Sequence, residues 1–407
     1  MFFVCFESEE KEIDSIISIL LFLYVLSLYI FTFLPGLNNI SNAIAALFIL
    51  SVTIKTLMEK GKIIFNKFLL LYLLFIIVCT ISYFYAEDQF IALSKIRTLI
   101  LYFIFITALI SYLDNYDKLI KLINFFVFSG VVAALYILFF SDIYSGERLG
   151  DLLGNENRMG IIIGMSMLFS IYFILFEKKY FYIIPAIITT GMVLFTGSRV
   201  AFVFIFIGSI FLTYFKNKNS SKGKIIKNIV ILLLISFIFY YLVFNISLFY
   251  LVLGKRVENI SKFIRNEEIN ERSISTRIYM IKFGFEMFKY KPIIGYGIGN
   301  YEVLLEKSIN MKTYAHNNYI ELLVDVGILG TIIYYAIYVQ ALLYLKKIKD
   351  YVKLKYLFLT LFLCFFIIDF ASINYSIKHT YFIFAMSSVL IKLNVQGYKI
   401  RHNKIGL

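Results

Sequence analysis

Stretches of apolar residues long enough to cross a bilayer recur along nearly the whole chain, and this limits its fold more than any other feature. A membrane helix takes about 20 mostly apolar residues. About twelve segments approach that length, at residues 13–34, 40–58, 68–85, 96–113, 119–140, 159–176, 180–195, 200–215, 229–253, 319–345, 356–370 and 380–393. Pro185 lies inside the seventh, and short polar stretches interrupt the last two. Composition closes off the soluble alternative. Of the 407 residues, 60% are hydrophobic and 16% charged, against roughly 45–50% and about 25% in a soluble globular domain. With 3 Pro and 21 Gly the chain is neither collagen-like nor linker-dominated, and its apolar content excludes disorder. The expected fold is all-α: a polytopic membrane bundle of about 12 transmembrane helices.

No cleavable leader is expected. The first run is too long for one, and Glu7, Glu9, Glu10 and Glu12 stand where positive charge is wanted. Cys5, Cys79 and Cys364 are too scattered for a disulfide framework or a metal site. The net charge of +14 is spread over short loops between apolar runs. That placement fits anionic lipid headgroups and membrane topology, not nucleic acid.

The lysines also report orientation. With the N-terminus inside, more than half of the 40 basic residues fall in inner segments, in groups such as Lys55, Lys60, Lys62 and Lys67, or Lys346, Lys347, Lys349, Lys353 and Lys355. The short outer loops hold only Lys95, Arg97, Arg148, Arg158, Arg199 and Lys378. Positive charge marks the cytoplasmic side, so both termini are expected there, in a multi-pass protein of the cytoplasmic membrane.

One outer segment departs from this economy. Three parts follow: nine spans over residues 1–253, a large outer loop over 254–318, and three spans with an inner tail over 319–407, all in one integrated membrane domain. Long loops are uncommon unless they work. Within this one, Ile274, Ile278, Ile281, Phe285 and Phe288 recur at helical spacing, which predicts an amphipathic helix over 275–290. Lys291-Pro292 stops it. A turn follows at Gly295-Tyr296-Gly297-Ile298-Gly299-Asn300, then a short helix over 301–307. The expected geometry is a small helical cap at the outer headgroup level.

Few polar residues remain to carry chemistry, and most gather on that outer side. His316 sits in Tyr314-Ala315-His316-Asn317-Asn318-Tyr319, just before the tenth run. It either anchors a helix start or acts as a general base, since imidazole titrates near neutral pH and its neutral nitrogen accepts a proton from a sugar hydroxyl. Asn317 and Asn318 either bind sugar hydroxyls or cap the helix. Arg199, in Thr196-Gly197-Ser198-Arg199, is confined by a tight turn to the membrane surface. It either snorkels to lipid phosphate or marks a functional site, as arginines at membrane depth commonly do. Arg277 falls in the first turn of the expected cap helix, where its fork of donors and the helix end both favour an anion. The outer loop before the sixth run carries Arg148, Asn157 and Arg158, either as turn residues or as donors to a substrate. Glu321 and Asp325, one turn apart, either assist catalysis, hold an arginine or couple ions. The Gly295, Gly297 and Gly299 spacing is not a dinucleotide fingerprint, because no βαβ pattern surrounds it.

Together these motifs resemble the O-antigen ligase and polymerase superfamily of integral-membrane glycosyltransferases. The likeness rests on Gly197-Ser198-Arg199 and on Ser275-Thr276-Arg277 leading to Pro292-Ile293-Ile294-Gly295-Tyr296-Gly297-Ile298-Gly299-Asn300. It continues through Ala315-His316-Asn317-Asn318-Tyr319 to Val326-Gly327-Ile328-Leu329-Gly330. The Gly154-Asn155-Glu156-Asn157-Arg158 stretch is similar to a further family element, usually written with proline where Glu156 stands. The motifs cover roughly residues 150–340.

The resemblance implies transfer of a glycan from undecaprenyl pyrophosphate to an acceptor hydroxyl on the outer face, without metal, nucleotide sugar or other cofactor. Arg199 and Arg277 would hold the pyrophosphate, replacing a divalent metal. His316 would activate the acceptor, Asn317, Asn318, Arg148, Asn157, Arg158 and Glu321 would be candidate substrate contacts, and direct displacement would invert the anomeric centre. The acceptor would be another lipid-linked glycan in a polymerase building capsule, exopolysaccharide or O-antigen, with a flippase and a chain-length regulator as further partners. In a ligase it would be lipid A–core or another molecule. A polysaccharide transporter or flippase also suits about twelve spans, but predicts repeated halves and polar groups near the bilayer midplane. A structural scaffold accounts for the spans but not for the arginines and the histidine.

Overall fold

The computed structural model describes residues 2–31, 36–59, 64–140, 155–218, 223, 226, 240–265 and 272–405, and no strand occurs among them. In chain order the principal helices are α1 (Phe2–Tyr29), α2 (Asn38–Met58), α3 (Lys67–Ser82), α4 (Gln89–Tyr112), α5 (Tyr116–Phe140), α6 (Glu156–Glu177) and α7 (Ile183–Phe195). They continue with α8 (Arg199–Asn217), α9 (Lys255–Ile264), α10 (Arg272–Tyr290), α11 (Tyr301–Ile309), α12 (Asn318–Lys347), α13 (Val352–Ile368) and α14 (Lys378–Ile405).

Among the described residues, 8 helices are long and apolar enough to cross a membrane: α1 from Glu12, α2, α3 with the turn after it, α4, α5, α6, α8 and α12. The chain is therefore an all-helical membrane protein, and its described residues hold fewer such helices than the about twelve read from the whole sequence. α7 has 13 residues, short of a full crossing, and α13 has 17, at the lower end of the crossing range. The run at 380–393 lies within α14, and that at 229–253 falls largely outside the described residues. Pro185 does not break α7. It is the third residue of the helix, where an amide has no partner inside the helix in any case.

The chain divides into two compact units, residues 1–61 with 117–269 and residues 62–116 with 270–407. The segment 254–318 is thus shared out, α9 to the first unit and α10 and α11 to the second.

In the first unit, α6 and α8 lie against each other in parallel. A Cβ on Gly160 would come 2.7 Å from the Ala201 Cβ, and two turns on, one on Gly208 would come 2.5 Å from Leu168. Small residues at such crossings let two helix backbones approach closely. Tyr29 of α1 shares a 2.6 Å hydrogen bond with Ser166 of α6, and the Ser166 hydroxyl donates to Phe126 of α5. Asp14 pairs with Lys55 and Lys118, tying α1 to α2 and α5.

In the second unit, Tyr72 of α3 stacks on Tyr381 of α14 at 4.5 Å and donates to the Leu99 carbonyl of α4. Cys79 and Cys364 are buried thiols here. α12 is interrupted at Gly327, which adopts φ +63° and ψ −170°. Helix α10 packs on the first half of α12, by a face that only partly coincides with the stripe its sequence advertises. The buried positions are Met280 and Gly284, with Phe283, Met287 and, from the predicted stripe, Ile281 beside them, whereas Phe285 is 48% exposed. Gly284 decides this, since its missing side chain leaves the space that Ile320 fills. A reading of apolar periodicity does not count glycine as a contact.

Candidate active site

In the first unit, the residues singled out from the sequence gather where α6 and α8 begin. Asn155 caps α6, its Oδ1 accepting the Arg158 amide at 3.0 Å. Ser198 caps α8, its Oγ accepting the Ala201 amide at 3.2 Å, and the same hydroxyl donates to Asn157 Oδ1 at 2.8 Å. Two motifs some forty residues apart are therefore one structure. Arg199 is the first residue of α8 and Arg158 the third of α6, both part-buried. Two helix N-termini and two guanidiniums at one end of a parallel helix pair make that end favourable to an anion. Arg148 lies outside the described residues.

In the second unit, the head of α12 is held from several sides. His316 carries φ +53°, the left-handed region that few residues other than glycine occupy. It is part-exposed, and its ring centroid lies 4.1 Å from that of Tyr314. Before it, the buried Ala315 amide donates to Glu321 Oε2 at 2.9 Å. After it, Asn317 caps α12 by accepting the Ile320 amide at 3.1 Å, and its amide group donates to the Phe370 carbonyl. Of the two roles open to Asn317 in the sequence, the structure shows the cap.

Asn318 is fully buried. Its Oδ1 accepts the Asn374 and Tyr375 amides, and its Nδ2 donates to Tyr335 and Asp369. Asp369 also accepts from the Tyr335 hydroxyl at 2.8 Å and from Asn374 Nδ2 at 2.5 Å. Asp369, Asn374 and Tyr335 have no place in the sequence reading. The available signal is the polar stretch 369–378 that interrupts the last two apolar runs.

The glycine turn at 295–300 is clamped into the break in α12. The Tyr296 and Gly297 amides donate to the Val324 and Asp325 carbonyls, both at 2.8 Å. The Asp325 carboxylate accepts the Gly299 amide at 2.7 Å and the Tyr301 amide at 2.8 Å, and Tyr375 donates to it at 3.3 Å. Asp325 therefore organises backbone and caps α11 from another helix. On the far side, Asn300 Oδ1 accepts the Asp88 amide at 2.6 Å. Burial pushes the Tyr301 phenol well above its ordinary range, with Glu321 and Asp325 adding to it, so its hydroxyl stays a donor to the Met280 carbonyl. Asp325→Ala leaves two buried amides without acceptors, at about 1–3 kcal/mol each. A thermal melt of the purified protein should show a clearly lower midpoint, and an unchanged one would contradict this role.

Arg277 is the sixth residue of α10, so it lies in the second turn and not at the helix start as its motif suggests. It is part-buried. One turn on, Met280 joins Ala315, Ile320 and Val324 in a single buried cluster with Tyr301 and Leu305. The helix bearing Arg277 and the turn bearing His316 thus rest on one core.

Residues 184–335 match the family model described as O-Antigen ligase. That stretch contains Arg199, Arg277 and His316, and it ends just beyond the break in α12. No curated protein sequence matches the chain.

Proposed function

We propose that this chain, a member of the O-antigen ligase superfamily through residues 184–335, is a membrane glycosyltransferase that joins lipid-linked repeat units into a surface polysaccharide. The observation that carries the reading is His316. A part-exposed imidazole is held in a left-handed backbone at the head of a candidate membrane span, between an amide tethered by Glu321 and the cap made by Asn317. Strained, over-determined positions of this kind cluster at functional sites.

The donor is a glycan on undecaprenyl pyrophosphate. An imidazole nitrogen of His316 takes the proton from the acceptor hydroxyl as its oxygen attacks the anomeric carbon. The bond from that carbon to the pyrophosphate oxygen breaks, and undecaprenyl pyrophosphate leaves with the electron pair. The anomeric centre inverts. Arg199 and Arg277 are assigned to the leaving charge, where fixed cations act most strongly. Glu321 and Asn317 position the histidine turn. The lysine distribution supports placing this chemistry on the extracytoplasmic side of the cytoplasmic membrane. A second reading is ligation of finished glycan to lipid A–core or another acceptor, and the family match serves both readings equally.

Purified protein in liposomes with undecaprenyl-pyrophosphate repeat units tests the choice. A ladder of lengthening lipid-linked products identifies a polymerase, and transfer confined to an added acceptor identifies a ligase. Movement of unaltered units across the bilayer would overturn both. Arg199→Ala and Arg277→Ala should each slow transfer by about 10²–10³-fold, the scale for one lost electrostatic donor. Full activity in either variant removes that arginine from the mechanism.

A further inference from the structure

We propose that the lysine-rich end of the second unit holds the headgroup of an anionic phospholipid, in a cavity of about 210 Å³ lined by α3, α12 and α14. The cavity lies along the C-terminal part of α12, at Ile337, Gln340 and Tyr344, beyond the break at Gly327 and so on the other side of it from the histidine turn.

Two lysines, Lys67 and Lys392, stand in its polar lining beside neutral groups. The Lys67 ammonium lies 5.7 Å from the Tyr344 ring centroid, and that of Lys347 lies 5.6 Å from the same ring. Two lysines thus line the cavity, a third reaches the ring of its Tyr344 from outside, and no aspartate or glutamate lines it. Lysines that share a lining without a carboxylate favour an anion, Asp114 acting on Lys392 from outside the cavity. The first turn of α3 opens here as well. Asn66 caps it by accepting the Leu69 amide and is pinned to α14 by donating to Ser388 Oγ at 2.5 Å. The positive end of the α3 dipole adds to the lysines.

The remaining wall is apolar, with Phe68, Ile337, Phe384 and Ile391, and Leu74 and Leu343 stand exposed on α3 and α12. A phosphate ester would satisfy the lysines alone. A phospholipid satisfies the lysines with its headgroup and the apolar wall with its chains, and the second match favours the lipid.

The test uses full-length protein in nanodiscs of phosphatidylcholine with graded phosphatidylglycerol, read by native mass spectrometry and by crosslinking with a photoreactive phosphatidylglycerol. The wild type should retain phosphatidylglycerol selectively and crosslink on the α12 and α14 segments that line the cavity. At about 1 kcal/mol per lysine near a membrane surface, Lys67→Gln with Lys392→Gln should weaken retention about 30-fold. Lys346→Gln with Lys349→Gln, outside the cavity, should not. Equal retention by wild type and the cavity variant overturns the proposal, as do crosslinks confined to other helices. Full displacement of the lipid by excess inorganic phosphate would overturn the lipid in favour of a free anion. Should the cavity variant fail to fold, the wild-type crosslinks decide alone.

Discussion

Replacing His316 with alanine is expected to slow glycan transfer by about 10²–10⁴-fold, the usual contribution of a positioned general base, while the protein stays folded. The residues on either side of the imidazole carry anchors of their own. Ala315 is held through its own amide by Glu321, Asn317 is fixed by the amide it caps and by Phe370, and Asn318 is locked by Asp369, Asn374 and Tyr375. Among what alanine loses in the fold are the contact with Tyr314 and ease in the left-handed region, the latter about 1–2 kcal/mol. His316→Asn separates the two effects, because asparagine tolerates that backbone yet offers no basic nitrogen. The expected result is a melt close to wild type with transfer as low as in the alanine variant. Transfer at the wild-type rate in the asparagine variant would remove His316 as the base.

The largest stability effect is expected at Gly327. Its φ of +63° and ψ of −170° lie in a region that only glycine occupies readily. A Cβ there would stand 2.2 Å from the Ile293 carbonyl oxygen, against backbone that has nowhere to go. Its break also feeds the glycine turn, since the Ile328 and Leu329 amides donate to the Pro292 and Ile293 carbonyls. Gly327→Ala therefore has to move the turn at 292–300 or straighten α12, at a cost above about 4 kcal/mol. The expected outcome is loss of monodisperse protein on size-exclusion chromatography in detergent. A well-folded Gly327→Ala protein with a wild-type melt would mean that the break in α12 is dispensable.

Much of the helical frame is legible in the sequence because apolar length is a local signal. The runs at 40–58 and 119–140 fall within a residue or a few of α2 and α5. Crossing length is harder to read, since 180–195 spends its start on a separate turn and leaves 13 residues for α7. The histidine turn was legible in part: a polar pair before an apolar run signals a helix cap, and Asn317 is one. What binds distant stretches was not. Nothing near Ser198 points to Asn157, and nothing near Asn318 points to Asp369, because each pair forms only after helices dock. Gly284 and Gly327 escape for a different reason: each matters through a side chain it lacks, which periodicity cannot weigh.

Counting undecaprenyl pyrophosphate released for each glycosidic bond formed, in chelator-treated proteoliposomes without nucleotide, decides whether the chain is such a transferase. One carrier should be released for each bond made, and neither should appear with the His316→Asn protein. Glycan that crosses the bilayer still attached to its lipid with no pyrophosphate carrier freed, or bond formation that stops with the chelator, would contradict it.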